Sequence, residues 1–279
     1  MKFTKMQGIG NDFIMVNAAQ EEKNLHHLPE LAKAVCDRHF GIGGDGLILC
    51  IPHPEADFEM RIFNSDGSEA EMCGNGIRCA ALFAKAQGLV QTNHCTVHTK
   101  AGLMKPEIIS DAVGKQLVKV DMGMPHLAGP EIPCVLKGDT ILEQPIEIQE
   151  KDYLFSAVSM GNPHCVVFLT QPVKDFPVQE IGPHFEHHPY FPAKTNVEFV
   201  EVLDEHQVNM RVWERGCGET LACGTGACAT AVASILTKRC QDQVQVHLLG
   251  GTLSISYQPG GHVWMEGPAQ TVFTGEFPW

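Results

Sequence analysis

The chain has 279 residues, 44% of them hydrophobic and 19% charged, with 20 Lys and Arg against 33 Asp and Glu for a formal net charge of −13. That composition carries enough apolar surface to offset the entropy of ordering, which excludes whole-chain disorder, and the length suits about two domains. The negative charge argues against nucleic acid as the main partner, because duplex binding rests on Lys and Arg neutralising phosphates.

The chain opens without an apolar core ending in a small-residue cleavage site, so a cytoplasmic location is expected. No stretch approaches about 18 apolar residues, so no membrane span is expected either. Gly10-Asn11-Asp12-Phe13 leads into apolar Ile14-Met15-Val16. Residues 28–39 read as a helix and 47–50 as a strand, with Gly41-Ile42-Gly43-Gly44-Asp45-Gly46 between them. This satisfies G-x-G-x-x-G literally, but a dinucleotide fingerprint needs the strand before it and the helix after it. A helix-to-strand turn is the better reading. Residues 59–63 read as a strand, 77–86 as a helix apolar nearly all round, and 117–120 and 165–169 as strands. Then come a strand over 207–213, a second apolar helix over 227–236, and strands over 252–256 and 263–265.

These elements repeat. Arg61, Glu69, Cys73, Gly74 and Gly76 recur as Arg211, Glu219, Cys223, Gly224 and Gly226, all at an offset of 150. Upstream, Gly10-Asn11 answers Gly161-Asn162 at 151, and downstream Val97-His98 answers Val246-His247 at 149. The expected fold is therefore α+β, with two pseudo-symmetric halves. Each would be a curved, mostly antiparallel sheet wrapped around a central helix, and the active site would occupy the cleft between them. The boundary falls near Met122, giving halves 1–122, completed by 269–279, and 123–268.

Eleven cysteines include no C-x-x-C pair and no zinc-ligand spacing, and most read as small buried hydrophobes. Cys73 and Cys223 stand apart, each at the mouth of a buried helix. Unpaired N–H groups and the helix dipole there favour an anion and are expected to lower a thiol pKa. Flanking glycines let a ligand approach the backbone. A thiolate and a thiol on opposite faces of one α-carbon would remove a proton and return it on the other side. Cys79 and Cys228, inside the helices, read as structural. His26-His27 and His187-His188 read as surface.

The segments Met6 to Phe13, Phe63 to Cys79, Met160 to His164 and Glu214 to Ala227 resemble the signatures of the diaminopimelate epimerase family. The resemblance covers essentially the whole chain. It implies a cofactor-independent, metal-free enzyme interconverting LL- and meso-diaminopimelate on the route to lysine and cell-wall peptide, assembled as a homodimer. It implies Cys73 and Cys223 as the acid/base pair, with His164 and Glu214 tuning them. It implies substrate contacts from Asn11, Asn64, Asn162, Asn196, Glu214 and Arg215 and from the backbone at Gly74-Asn75 and Gly224-Thr225. Two departures stand out: Gly46, where some members carry Gln, and Cys217, where a small apolar residue is usual. Cys217 aligns in the repeat with Gly67, so Cys223 keeps the catalytic assignment.

Other readings are a proline racemase or hydroxyproline epimerase, a redox sensor switching through a Cys73–Cys223 disulfide, and a non-catalytic amino-acid binder. The racemases typically read Cys-Gly-His and Ser-Pro-Cys-Gly-Thr-Gly, against Cys73-Gly74-Asn75 and Leu221-Ala222-Cys223 here.

Overall fold

The computed structural model describes residues 1–279, apart from the side chain of Asn24. It divides into two compact units, Met1–Asp121 with Glu266–Trp279, and Met122–Met265.

Unit 1 runs β1 (Lys2–Gly8), β2 (Asn11–Asn17), the short α1 (Ala18–Glu21), α2 (Leu28–Cys36), β3 (Gly46–Ile51), β4 (Phe58–Asn64) and β5 (Glu69–Ala70). It continues through α3 (Gly74–Ala86), β6 (Val97–Thr99), β7 (Gly102–Met104) and a hairpin of β8 (Glu107–Ser110) and β9 (Gln116–Asp121). The main sheet is ordered β1-β2-β3-β4-β6-β7, with β5 on β4 and the chain's last strand, Gln270–Glu276, outside β1.

Unit 2 runs β10 (Ile141–Ile148), β11 (Lys151–Ser159), β12 (Pro163–Phe168), α4 (Val178–Glu186), β13 (Asn196–Asp204), β14 (Gln207–Glu214) and β15 (Gly218–Thr220). After α5 (Gly224–Leu236) come β16 (Gln243–Leu248), β17 (Gly251–Tyr257) and β18 (Val263–Gly267), which returns the chain to unit 1. Its order is β10-β11-β12-β13-β14-β16-β17-β18, with β15 on β14.

The repeat expected from sequence extends to the ladders. In unit 1, β2–β3 and β4–β6 pair parallel while β1–β2, β3–β4, β4–β5 and β6–β7 pair antiparallel. In unit 2, β12–β13 and β14–β16 are parallel, and β11–β12, β13–β14, β14–β15 and β16–β17 are antiparallel. Even one ion pair repeats: Arg61 Nε to Glu69 Oε1 and Arg211 Nε to Glu219 Oε1 are both 2.7 Å.

Each sheet wraps one helix because that helix has small or apolar side chains on nearly every face. In α5, Ala227, Cys228, Ala229, Ala231, Val232 and Ala233 are fully buried, and the helix packs on β11, β12, β13, β16 and β17. In α3, Ile77, Cys79, Ala80 and Ala81 are likewise buried; burying a side chain such as Ile77 contributes about 1.5–3 kcal/mol. Arg78 is the exception, a fully buried cation whose guanidinium donates to Gly74 O at 3.0 Å and Asn75 Oδ1 at 2.9 Å.

Both central helices begin three residues before the apolar run read from sequence, because Cys73 and Cys223 cap them and the glycines form the first turn. The helix read over 28–39 stops at Cys36. Asp37 turns extended (ψ 125°), and its carbonyl accepts from Gly41 N–H at 3.0 Å. The Gly41–Gly46 segment is the helix-to-strand turn expected.

Candidate active site

In unit 1, Cys73 has extended backbone (φ −142°, ψ 121°) and its sulfur accepts from Gly76 N–H at 3.4 Å. Its thiol also reaches Asn11 Oδ1 at 3.8 Å. Asn11 opens β2 directly after Gly10, whose φ of +86° a side chain would disfavour. The Asn11 amide is held from two sides: its Nδ2 donates to Asp45 Oδ2 at 2.6 Å, and its Oδ1 accepts from Asn75 Nδ2 at 3.1 Å. Asp45 is fixed in turn by Arg38 (2.9 Å), which also grips Asp12, itself paired with buried Lys5 at 2.7 Å. Burial alone would raise the Asp12 pKa, but Arg38 and Lys5 outweigh it and hold the carboxyl at about 2. Asn64 closes β4 on the surface, bonded to Ser68 Oγ at 3.0 Å.

In unit 2, Cys223 caps α5 in the same way, its sulfur accepting from Gly226 N–H at 3.3 Å and lying 3.5 Å from Thr225 Oγ1. Asn162 again follows a glycine of positive φ, Gly161 at +93°. The surroundings differ. His164 and Glu198 side chains are wholly buried, with His164 Nδ1 2.7 Å from Glu198 Oε1 and Nε2 3.0 Å from Asn162 Oδ1. Glu214, at the end of β14, accepts from Thr220 Oγ1 at 2.5 Å and from the Cys223 thiol. Burial pushes the Glu214 carboxyl up, against the pull of those hydrogen bonds.

The expectation of a lowered pKa fails for Cys223. Burial is the largest effect and pushes the thiol well above its ordinary value, and the carboxylates of Glu214 and Glu198 push the same way. The hydrogen bonds from Thr225 and Gly226 do not offset this. Desolvation of the sulfur here exceeds what one helix terminus supplies.

Asn196 is buried and committed to the backbone: its Nδ2 donates to Pro163 O and its Oδ1 accepts from Arg215 N–H, both at 2.9 Å. Glu186 holds the same turn by accepting from Trp213 Nε1 at 2.7 Å and Gly216 N–H at 3.1 Å. Arg215 is thereby presented on an exposed turn, its guanidinium 3.2 Å from Ala193 O. Cys217 is exposed, whereas Cys79 and Cys228 are buried in the helices. A side chain at Gly46 would press its Cβ to 2.8 Å from Phe63 O, so this backbone suits glycine there.

Thus Asn11, Cys73, Gly74 and Asn75 come together in unit 1, and Asn162, His164, Glu214, Cys223, Gly224 and Thr225 in unit 2. Two neighbours escaped the sequence reading: Asp45, which fixes Asn11, and Glu198, which fixes His164.

A family model described as Diaminopimelate epimerase matches residues 3–128 and 156–272. The chain belongs to the diaminopimelate epimerase family. It is 51% identical over 279 residues to the diaminopimelate epimerase of Pelotomaculum thermopropionicum, covering 100% of this chain and 99% of that one. It is 52% identical to that of Moorella thermoacetica with the same coverage. Among solved structures, a phenazine biosynthesis protein of the PhzF family from Bacillus anthracis aligns with a TM-score of 0.69 at 16% identity, over 100% of this chain and 99% of that one. A probable proline racemase from Agrobacterium radiobacter K84 aligns with a TM-score of 0.68 at 15% identity, over 99% of this chain and 92% of that one. At such identities these alignments show a shared fold. That fold is the α+β one, with two repeated halves, expected from sequence.

Proposed function

We propose that the protein interconverts LL- and meso-diaminopimelate without a cofactor or metal, by two-base proton transfer at the α-carbon, on the route to lysine and peptidoglycan precursors. The observation that carries this reading is the duplicated half-site. Each unit offers one cysteine sulfur at the first turn of a buried helix, within a family whose members are named for this reaction. One sulfur takes the α-proton as thiolate, and the other, as thiol, returns a proton to the opposite face. The charge that develops on the α-carbon and its carboxylate is met by the N–H groups of Gly74, Asn75, Gly224 and Thr225.

His164 and Glu214 tune the Cys223 side. Glu214 accepts from the thiol and, with burial, favours its protonated form, the form a proton donor needs. Asn11 and Asn162 contact the reacting end. Asn64 and Arg215 hold the distal end, where a guanidinium matches a carboxylate through two hydrogen bonds. Asn196 serves through its grip on the Arg215 backbone. The enzyme works in the cytoplasm as a homodimer.

The test is conversion of LL-diaminopimelate by reduced protein with no added cofactor, followed by chiral chromatography. Appearance of the meso form is expected. Absence of conversion, or equal turnover of proline, would overturn the reading, the latter in favour of the racemases.

A further inference from the structure

The first turn of each central helix rests on a different pair of side chains. On β2 and β3, Phe13 pairs with Gly46, and Ile48 lies two residues on; a Cβ at Gly76 would meet Ile48 Cδ1 at 3.0 Å. On β12 and β13, His164 pairs with Asn196, and Glu198 lies two residues on; a Cβ at Gly226 would meet Glu198 Oε1 at 2.6 Å. The apolar Phe13 and Ile48 of one unit thus hold the positions of the buried His164–Glu198 pair in the other.

Stability gives no reason for the pair. Glu198 Oε2 is buried with no hydrogen-bond partner among the described residues, and an orphaned carboxylate oxygen in the interior weakens a fold. The scaffold fills the equivalent positions of unit 1 with carbon. What the carboxylate does achieve is visible in the hydrogen bonds. Its Oε1 lies 2.7 Å from His164 Nδ1, and His164 Nε2 lies 3.0 Å from Asn162 Oδ1.

We infer that Glu198 is a positioning residue for the epimerase reaction, orienting His164 so that Asn162 is locked with its oxygen inward and its NH2 group left to donate to the ligand. This rests on the function proposed above. Glu198 touches no reacting atom; it acts through the imidazole, as outer partners of a ligating histidine do. Unit 1 fixes Asn11 by another route, with Asp45 accepting from Nδ2, so only unit 2 needs the buried relay.

Two substitutions of nearly equal length separate position from volume. Glu198→Gln keeps an acceptor oxygen for Nδ1, whereas Glu198→Met keeps the bulk and removes it. Steady-state kinetics with LL-diaminopimelate and thermal melts are measured for both, for Asn162→Ala, and for Asn162→Ala combined with Glu198→Met. Glu198→Met, which leaves the buried His164 Nδ1 unpaired, is expected to melt below wild type yet remain folded, and to raise KM about tenfold with kcat less affected. Glu198→Gln should hold KM within about threefold, and Glu198→Met should add nothing to Asn162→Ala, because both act on one contact. Wild-type KM in Glu198→Met, or effects that multiply in the double variant, would overturn the inference while leaving the epimerase reading intact. Absence of wild-type turnover would overturn that reading, and this inference with it.

Discussion

In unit 1 the first turn of α3 packs on Ile48, and the Cys73 thiol reaches an asparagine oxygen. In unit 2 the equivalent turn packs on Glu198, and the Cys223 thiol donates to Glu214, the repeat partner of Asn64. Strand order, ladder polarity, the Arg–Glu ion pair and the capping cysteine are common to both. The duplication has kept the parts that place a sulfur at a helix start. It has diverged in the side chains that decide how tightly that sulfur holds a proton. A reaction that needs an acceptor and a donor in the same turnover is served by that division.

The largest effects are expected from the two sulfurs. Cys73→Ala and Cys223→Ala should each lower kcat by a factor of about 10³ or more, since each removes one of the two proton-transfer groups proposed. Cys217→Ala should stay within about tenfold of wild type, about 1.4 kcal/mol of barrier. Steady-state assays with thermal melts on the three variants check this. A dead, well-folded Cys217 variant would break the correspondence between the units.

Copying one unit's packing into the other comes next. His164→Phe with Glu198→Ile installs the apolar pair of unit 1 in unit 2. Replacing both members of a buried polar pair by apolar groups is often neutral or stabilising by about 1–4 kcal/mol. The melting temperature should therefore hold or rise while kcat/KM falls at least about tenfold, a split that calorimetry and kinetics together resolve.

Arg215→Lys tests the distal contact. Lysine keeps the charge but loses the forked geometry, so kcat/KM on diaminopimelate should drop by about tenfold, mostly through KM.

A smaller effect comes from buried thiols in both units. Burial holds Cys36 and Cys79 at about 12 and Cys95 at about 11, and raises Cys165 and Cys223 well above the ordinary value. The unfolded chain ionises these thiols near about 8.5 while the folded chain keeps their protons. Stability is therefore full below that pH and falls as pH rises beyond it, by up to about 1.4 kcal/mol per pH unit for each thiol. Urea unfolding at a series of pH values between neutrality and mild alkali reads this directly.

The repeat was legible because its markers are chemically distinctive residues at fixed offsets: a cysteine, two glycines, and an arginine paired with a glutamate. The same alignment set His164 against Phe13 and Glu214 against Asn64. Glu198 was not legible. Its strand, Asn196–Asp204, is not among those expected from sequence, and a carboxylate between Val197 and Phe199 gives no sign of burial, yet β13 is covered by α5 on one face and by the Phe155–Phe185 cluster on the other. The strand Ile141–Ile148 escaped for the opposite reason, being an edge strand with Pro145 and exposed charged side chains. The helix starts were misplaced by three residues because glycine has poor helix propensity, and capping overrides it at these turns. The Cys223 proton affinity depends on burial, which local sequence does not reveal.

The central claim is that two different sulfurs take and return the proton. It is tested most directly by following LL-diaminopimelate in deuterated water by ¹H NMR during the first few per cent of conversion. A proton donor that equilibrates with solvent between turnovers delivers deuterium only to the opposite face. The meso product should then carry deuterium at the inverted carbon while the remaining LL substrate keeps its hydrogen. Deuterium entering LL substrate as fast as it enters product, or meso product formed with the original hydrogen, would mean that one base works from one face and would contradict the account.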